Sequence, residues 1–449
     1  MKRSIYAFLL SASVLLSLCT RFTACQSPQS PTETAQTSPA VTDSLLVDYV
    51  WAGHPVGFDL LTDPPYQYVA YYDSARVMTV ARRRLDEQQW DKVQLDEVTG
   101  WDSHNYIALA LDSEGYLHVS GNMHVDTLVY YQAGQPYDIY SLQRRDSLVG
   151  RDEIRVTYPK FFDAPGGDLI FTYRIGGSGN GNQIYNRYNP ETQTWGRLLD
   201  EPLVDGEGKM NAYLHGPVQG PDGFFHLVWV WRDTPDAETN HDLSYAKSRD
   251  LVHWMQSDGT PQALPITLGN AEIIDPVPPG QGMINGNTII GFDQADRPVV
   301  SYHKFDEDGH TQIYQARQEA DGWQIYQSTD YDFRWDFRGR GSLGARIRIQ
   351  PLQLVDQQLQ QQVWLDTAGF QTHILDTASL RVVRKYDTED NYPLRLDQAQ
   401  RAGHEVNRAS SRAGDTLYLL RWETLPRNRD RPRDKPWPEP VPLYLYEVE

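Results

Sequence analysis

The 449-residue chain carries 60 acidic against 41 basic side chains, for a formal net charge of −19 and a pI near 5.0. That balance lacks the basic footprint that nucleic-acid binding needs, although a few local arginines can still dominate one cleft. The two cysteines, Cys19 and Cys25, both lie near the N-terminus, which leaves the body without a disulfide, a thiolate metal site or a cysteine nucleophile.

Lys2-Arg3 precede an apolar run from Ile5 to Leu18, so residues 1–24 read as a signal peptide. The run is too short and wrongly flanked for a membrane span. Phe22-Thr-Ala-Cys25 resembles a bacterial lipobox with Cys25 as the lipidated residue, Phe22 standing where leucine is usual. Ordinary cleavage and release is the alternative. Residues 25–44, rich in Ser, Thr, Pro and Gln, read as a flexible tether. The expectation is an exported protein of the periplasm or cell surface, touching a membrane only through a lipid anchor.

From residue 45 to 449 no long amphipathic helix stands out. Short strands recur between Gly, Asp, Asn and Pro. One strand follows a turn, as in Gly115-Tyr-Leu-His-Val, Gly167-Asp-Leu-Ile-Phe and Gly223-Phe-Phe-His-Leu. The next is tyrosine-rich, as in Leu128-Val-Tyr-Tyr, Ile184-Tyr-Asn-Arg-Tyr and Leu243-Ser-Tyr-Ala, and a tryptophan often follows: Trp195, Trp254, Trp323. Such a unit is a propeller blade. Seven are counted: Tyr66–Leu95, Asn105–Tyr140, Phe161–Leu199, Tyr213–Trp254, Asn287–Gln327, Ile347–Tyr386, and a last one from His404–Thr424 with Pro442–Val448. Leu45–Trp51 would add a strand to the last blade and close the ring. The predicted fold is all-β, a single-domain seven-bladed β-propeller. Ser248-Arg-Asp-Leu-Val-His-Trp254 looks like a degenerate Asp-box, a structural turn without catalysis.

Within the second unit, Tyr106–Leu111 and Tyr116–Ser120 alternate as strands around the turn Asp112-Ser-Glu-Gly115. A hairpin brings its open ends together, so His104 and His124 meet at one rim. His118, His226 and His303 alternate with apolar residues and read as core histidines. No HExxH or EF-hand spacing appears, and neither a metal nor a cofactor is expected. Ile175-Gly-Gly-Ser-Gly-Asn-Gly-Asn182 is followed by no helix pattern, so it reads as a flexible rim loop and not a phosphate loop. Pro426–Pro440 reads as a surface excursion.

Four stretches together resemble the bacterial BNR-4 repeat proteins: Trp51-Ala-Gly-His-Pro-Val-Gly-Phe58, Gln67-Tyr-Val-Ala-Tyr-Tyr72, Trp101-Asp-Ser-His-Asn105 and Gly121-Asn-Met-His124. The resemblance runs from about Val50 to Gln327. It implies a seven-bladed propeller acting on an acidic glycan that contains rhamnose and uronic acid. Two activities come with it. The preferred reading is an α-L-rhamnosidase-like hydrolase using His54, which the resemblance places on the face opposite the lyase site. The alternative is an ulvan-lyase-like β-elimination. Elimination needs a base for the C5 proton, a cation on the carboxylate and an acid for the leaving oxygen. His104 and His124 would supply base and donor, Tyr173 would match the lyase tyrosine, and Arg187 would neutralise the carboxylate. His215, Tyr213 and Asn105 would bind substrate. A glycan-binding propeller without catalysis is the third reading.

Overall fold

The computed structural model describes residues 40–388 and 396–448. The signal peptide, Cys25 and the tether up to residue 39 lie outside the described residues. The first strand, Val41–Val50, already begins inside the stretch read as tether.

Among the described residues the regular secondary structure is almost all strand, with short 3-10 turns at Ile139–Ser141 and Ala237–Thr239. No helix among them is long and apolar enough to cross a membrane. The strands form seven antiparallel sheets, in a propeller-like arrangement. Beside Val41–Val50 they occupy residues 59–98, 107–144, 156–205, 211–275, 289–327, 347–387 and 405–448, except that His124–Asp126, inside the second span, pairs with Val156–Asp163 of the third sheet. Each sheet overlaps one of the seven repeat units, and strands outside the expected spans join them at Asp59–Asp63, Leu142–Arg144, Val204–Asp205 and Glu272–Asp275. The first sheet starts a strand earlier, at Asp59–Asp63, which the Pro64-Pro65 turn hid from the periodicity.

Val41–Val50 runs antiparallel to Val441–Val448, with Leu45 opposite Leu445 and Val50 opposite Val441. The last sheet is therefore built from both ends of the chain, as expected, and the edge of Val441–Val448 is covered. The first strands of neighbouring sheets touch. Asp59–Asp63 contacts both Ile107–Leu111 and Glu405–Ala413, and Asn211–Gln219 contacts Ile289–Phe292.

Burial follows the strand period where one face is wet: Gln358–Leu365 alternates exposed or half-buried with buried residues along its length. Phe225–Arg232 is buried throughout, because it lies inside a sheet covered on both faces. The apolar core lies between neighbouring sheets. Phe161 and Phe171 stack at 4.6 Å, with Tyr130 and Trp195 around them. His118 and His226 are fully buried as expected and carry the same bonds in two sheets. Each Nδ1 meets a tyrosine hydroxyl of the next strand, Tyr130 at 2.5 Å and Tyr245 at 2.7 Å. His303 is also buried. The Asp-box-like turn behaves as one: Asp250 accepts from the amides of Val252 and His253, and the Trp254 indole donates to the Leu251 carbonyl at 2.9 Å.

Candidate active site

The hairpin forms as read, slightly shifted. Ile107–Leu111 pairs with Leu117–Gly121, and Asp112 accepts from the amides of Glu114 and Tyr116 to close the turn, with Gly115 at φ +84°. Gly121 ends the second strand against the first: a Cβ there would meet the Tyr106 carbonyl oxygen at 2.7 Å. That close approach delivers His124 beside His104. Their rings stack at 4.1 Å.

One carboxylate holds both. Asp102 Oδ1 lies 2.5 Å from His104 Nδ1, and Oδ2 lies 2.5 Å from His124 Nδ1. Oδ1 also accepts from the His104 amide at 2.9 Å, which closes the turn on itself. Burial alone would raise the Asp102 carboxyl, but the hydrogen bonds from the two histidines outweigh it and hold it well below the usual carboxylate range. An ionised carboxylate only accepts, so both Nδ1 atoms carry protons and both Nε2 atoms are left for a substrate. Two charged rings stacked this closely would repel, so the pair suits one acid and one base.

Asp102, His104 and His124 also offer ligand atoms within 4.8 Å of one another, a spacing open to a metal ion. The 2.5 Å contacts, however, are hydrogen-bond lengths, and each carboxylate oxygen already takes an imidazole proton. The donor set as it stands fits proton transfer.

The pair lines a cavity of about 880 Å³ at the entry to the first strands. A second cavity of about 350 Å³ adjoins it and shares Tyr106, Tyr158 and Tyr213. Tyr158 stands between the two. It sits at a register shift between Thr157 and Lys160, with φ +61°, a left-handed conformation that costs a tyrosine energy and turns its ring out of the strand's alternation. The ring is 5.7 Å from that of His104. Burial, helped by Tyr213, raises its hydroxyl to about 12 against the lowering effect of Arg174 and Arg232. Arg174 lies 4.8 Å above the Tyr158 ring. Arg174 is 2% exposed, and its three guanidinium nitrogens have no hydrogen-bond partner among the described residues. An unpaired buried cation costs several kcal/mol, roughly, until an anion meets it.

The expected residues divide. His104, His124 and Tyr213 line the large cavity. Tyr213 meets the Ser178 hydroxyl at 2.6 Å, in the turn that joins Leu169–Gly177 to Asn180–Asn189 as a continuous hairpin. That replaces the flexible rim loop. His215 lines the smaller cavity, where burial and Lys160 push it down to about 4.

Tyr173 does not reach either cavity: it is fully buried, and its hydroxyl accepts from Arg197 at 3.1 Å. Arg187 is exposed and ion-paired with Asp168. Asn105 is buried behind the wall, its amide toward Thr99 and its carbonyl accepting from Tyr72. His54 is not across the molecule. It lies buried beneath the same cavity, 3.0 Å from Asp430, which lines it.

The segment read as a surface excursion is a cavity wall. Arg427, Arg429, Asp430 and Arg431 line it, with Arg340 from the loop before the sixth sheet and Arg348 from that sheet's first strand, Ile347–Ile349. Arg348, Arg427, Arg429 and Arg431 make no side-chain hydrogen bond or ion pair among the described residues. The cavity is thus locally basic within an acidic protein.

Comparison with known proteins follows the same line. The profile of the BNR repeat-containing family matches residues 66–331. Ulvan lyase, long isoform, of Pseudoalteromonas sp. (strain PLSV) is 29% identical over 135 residues, 28% of this chain and 13% of that protein. The long isoform of Glaciecola sp. (strain KUL10) is 51% identical over 44 residues, 10% of this chain and 4% of that protein. The chain therefore matches only a small part of these relatives' length. The crystal structure of polysaccharide lyase Uly1 superposes with a TM-score of 0.63 at 12% identity, covering 91% of this chain and 99% of that one. A PL25 ulvan lyase bound to -[GlcA(1-4)Rha3S]- gives 0.53 at 12%, covering 84% and 92%. At such identity the likeness is one of fold.

Proposed function

The chain belongs to the BNR repeat-containing family, and from that premise we propose that it is a polysaccharide lyase cleaving beside a uronic acid by β-elimination, its seven sheets forming one closed seven-bladed propeller. One observation carries the reading. A carboxylate-tied histidine pair lines one cavity, a buried unpaired arginine lines the cavity adjoining it, and Tyr158 lines both. The similarity to ulvan lyases supports it.

Arg174 takes the uronate carboxylate through its fork of donors, which makes the C5 proton more acidic. The neutral member of the His104–His124 pair removes that proton at Nε2. The C4–O bond breaks, its electrons leave with the oxygen, and Tyr158 or the imidazolium partner protonates that oxygen. A C4=C5 double bond remains on the uronate. Tyr158 stays protonated over the neutral range because burial lifts its pKa, so it serves as acid.

The substrate class is an acidic polysaccharide containing rhamnose and uronic acid, as in the oligosaccharide bound to the solved ulvan lyase. The unpaired arginines on the far wall suit further anionic groups along the chain. The hydrolase reading gives way to this one. Its histidine, His54, does not line the cavity, and the similar proteins are lyases. Export and lipidation at Cys25 belong to the same proposal; labelled fatty acid retained by the wild type and lost in Cys25→Ala is the expected result.

Incubation with a rhamnose–glucuronate polysaccharide tests the activity. Ultraviolet absorbance from the unsaturated uronate, abolished in His104→Ala, supports the lyase. Free rhamnose without absorbance would restore the hydrolase. Binding with an unchanged glycan would leave a non-catalytic propeller.

A further inference from the structure

The lyase chemistry leaves His54 unused, although it lies in one of the most recognisable stretches of the sequence. We propose that His54 is a positioning residue: through Asp430 it fixes the segment that carries His104.

Asp430 is the junction. Its Oδ1 meets His54 Nε2 at 3.0 Å and accepts from the Ser103 amide at 3.0 Å. Its Oδ2 accepts from the Ser342 amide at 3.1 Å. These partners lie 376, 327 and 88 positions away in the sequence, so one carboxylate ties together three distant loops at the cavity. Ser103 immediately precedes His104. Asp102 fixes the His104 ring, and Asp430 fixes the backbone just before it. Together they set both ends of the lever that aims Nε2.

His54 is built to donate and not to react. It is 1% exposed. The Asp430 carboxylate only accepts, so the proton resides on Nε2 and is held by Asp430. Nδ1 is buried without a hydrogen-bond partner among the described residues. The ring lies against Trp101, which packs on Trp51 at 5.0 Å. The Leu425 amide donates to the Ala52 carbonyl at 2.8 Å, and Arg433 donates to the Gly53 carbonyl at 3.2 Å. Gly53 has no room for a side chain, since a Cβ would lie 2.6 Å from the Trp51 ring. The motif around His54 therefore clamps the segment that carries Asp430.

The neighbours of Asp430 explain why a clamp is needed. Arg427, Arg429 and Arg431 surround it in sequence and line the same cavity. Without the His54 bond the carboxylate is free to swing to one of these cations. Ser103 and Ser342 then lose their acceptor, and the His104 turn loosens. Misplacing a catalytic base by a fraction of an ångström slows proton transfer and leaves binding at the arginine wall intact.

The test compares His54→Leu with His54→Gln, whose Nε2 restores the donor but cannot transfer protons as imidazole does. Hydrogen exchange at the Ser103 and Ser342 amides is read without substrate, and turnover is read by the lyase assay. His54→Leu is expected to speed exchange at both amides and to lower kcat about tenfold with KM within about twofold. His54→Gln is expected to recover most of both. If His54→Leu does not fold, Asp430→Asn stands in, with faster exchange at one or both amides and a lower kcat expected. Wild-type exchange in His54→Leu, or in Asp430→Asn where that stands in, overturns the proposal. So does a His54→Gln variant with normal exchange but no turnover, which would make His54 a proton-transfer group. The kcat arm rests on the lyase reading; the exchange arm does not, so an absence of lyase activity leaves the positioning role separately decided.

Discussion

Two walls of the adjoining cavities are built on opposite plans. The wall from the second and third sheets carries Asp102, His104, His124, Tyr158 and Arg174, held by short hydrogen bonds, a strand bulge and ring stacking. The wall from the sixth and seventh sheets carries Arg348 on a strand and Arg427, Arg429 and Arg431 on a loop, without a side-chain hydrogen bond or ion pair among the described residues. Preorganised groups suit bond breaking, where a small displacement is costly. Adaptable arginines suit holding a repeating polyanion in register. The contrast predicts that damage to the first wall lowers kcat and damage to the second raises KM.

The largest effects are expected at the first wall. Arg174→Ala and Tyr158→Phe should each lower kcat/KM by about 10²–10⁴-fold, measured by unsaturated product formation, with folding checked by circular dichroism. Asp102→Asn should cost about 10²-fold in kcat, because an amide cannot hold both Nδ1 protons in place. A loss confined to KM in any of these would erase the distinction between the walls.

The second wall should respond differently. Arg348→Ala combined with Arg427→Ala should raise KM about tenfold with little change in kcat. The wild-type KM should rise with salt, and less steeply in the double variant.

Reading these walls from sequence succeeded in part, and the failures have physical causes. The strand alternation made the hairpin legible, and with it the meeting of His104 and His124. The paired ends, Val41–Val50 with Val441–Val448, followed from the need to cover a sheet edge. The third sheet misled. Tyr173 and Arg174 are adjacent in one strand, so their side chains leave on opposite faces. Tyr173 follows Leu169 and Phe171 into the core, while Arg174 follows Thr172 to the cavity. That parity was available in the sequence. The orientation of Tyr158 was not, because a bulge with left-handed φ breaks the alternation. Asp102 stood inside the quoted motif, but its bond to His124 spans 22 positions and needs the folded turn. The arginine wall depends on loops that meet only through tertiary contacts such as Leu425 to Ala52.

Smaller effects sharpen the same line. Acidification should destabilise the fold through buried neutral histidines. Burial pushes His303 and His373 down to about 4 from an ordinary 6.5. Between these values the unfolded chain binds more protons, so stability is full above pH 6.5 and falls as pH drops toward 4, by about 1.4 kcal/mol per unit for each such group. Denaturant midpoints between pH 7 and 4.5 check this. Replacing His373 by Gln should flatten the slope. Smallest of all, Arg187→Ala should leave activity unchanged and cost about 0–1 kcal/mol, since its pair with Asp168 is exposed. Tyr173→Phe should likewise spare kcat and lose about 1 kcal/mol with the Arg197 bond.

The most direct measurement follows the ultraviolet absorbance of a rhamnose–glucuronate polysaccharide exposed to the wild type, Arg174→Ala and Arg187→Ala. A lyase built on the first wall gives rising absorbance with the wild type and Arg187→Ala and almost none with Arg174→Ala. Loss of activity in Arg187→Ala with Arg174→Ala intact, or release of free rhamnose without absorbance, would contradict it.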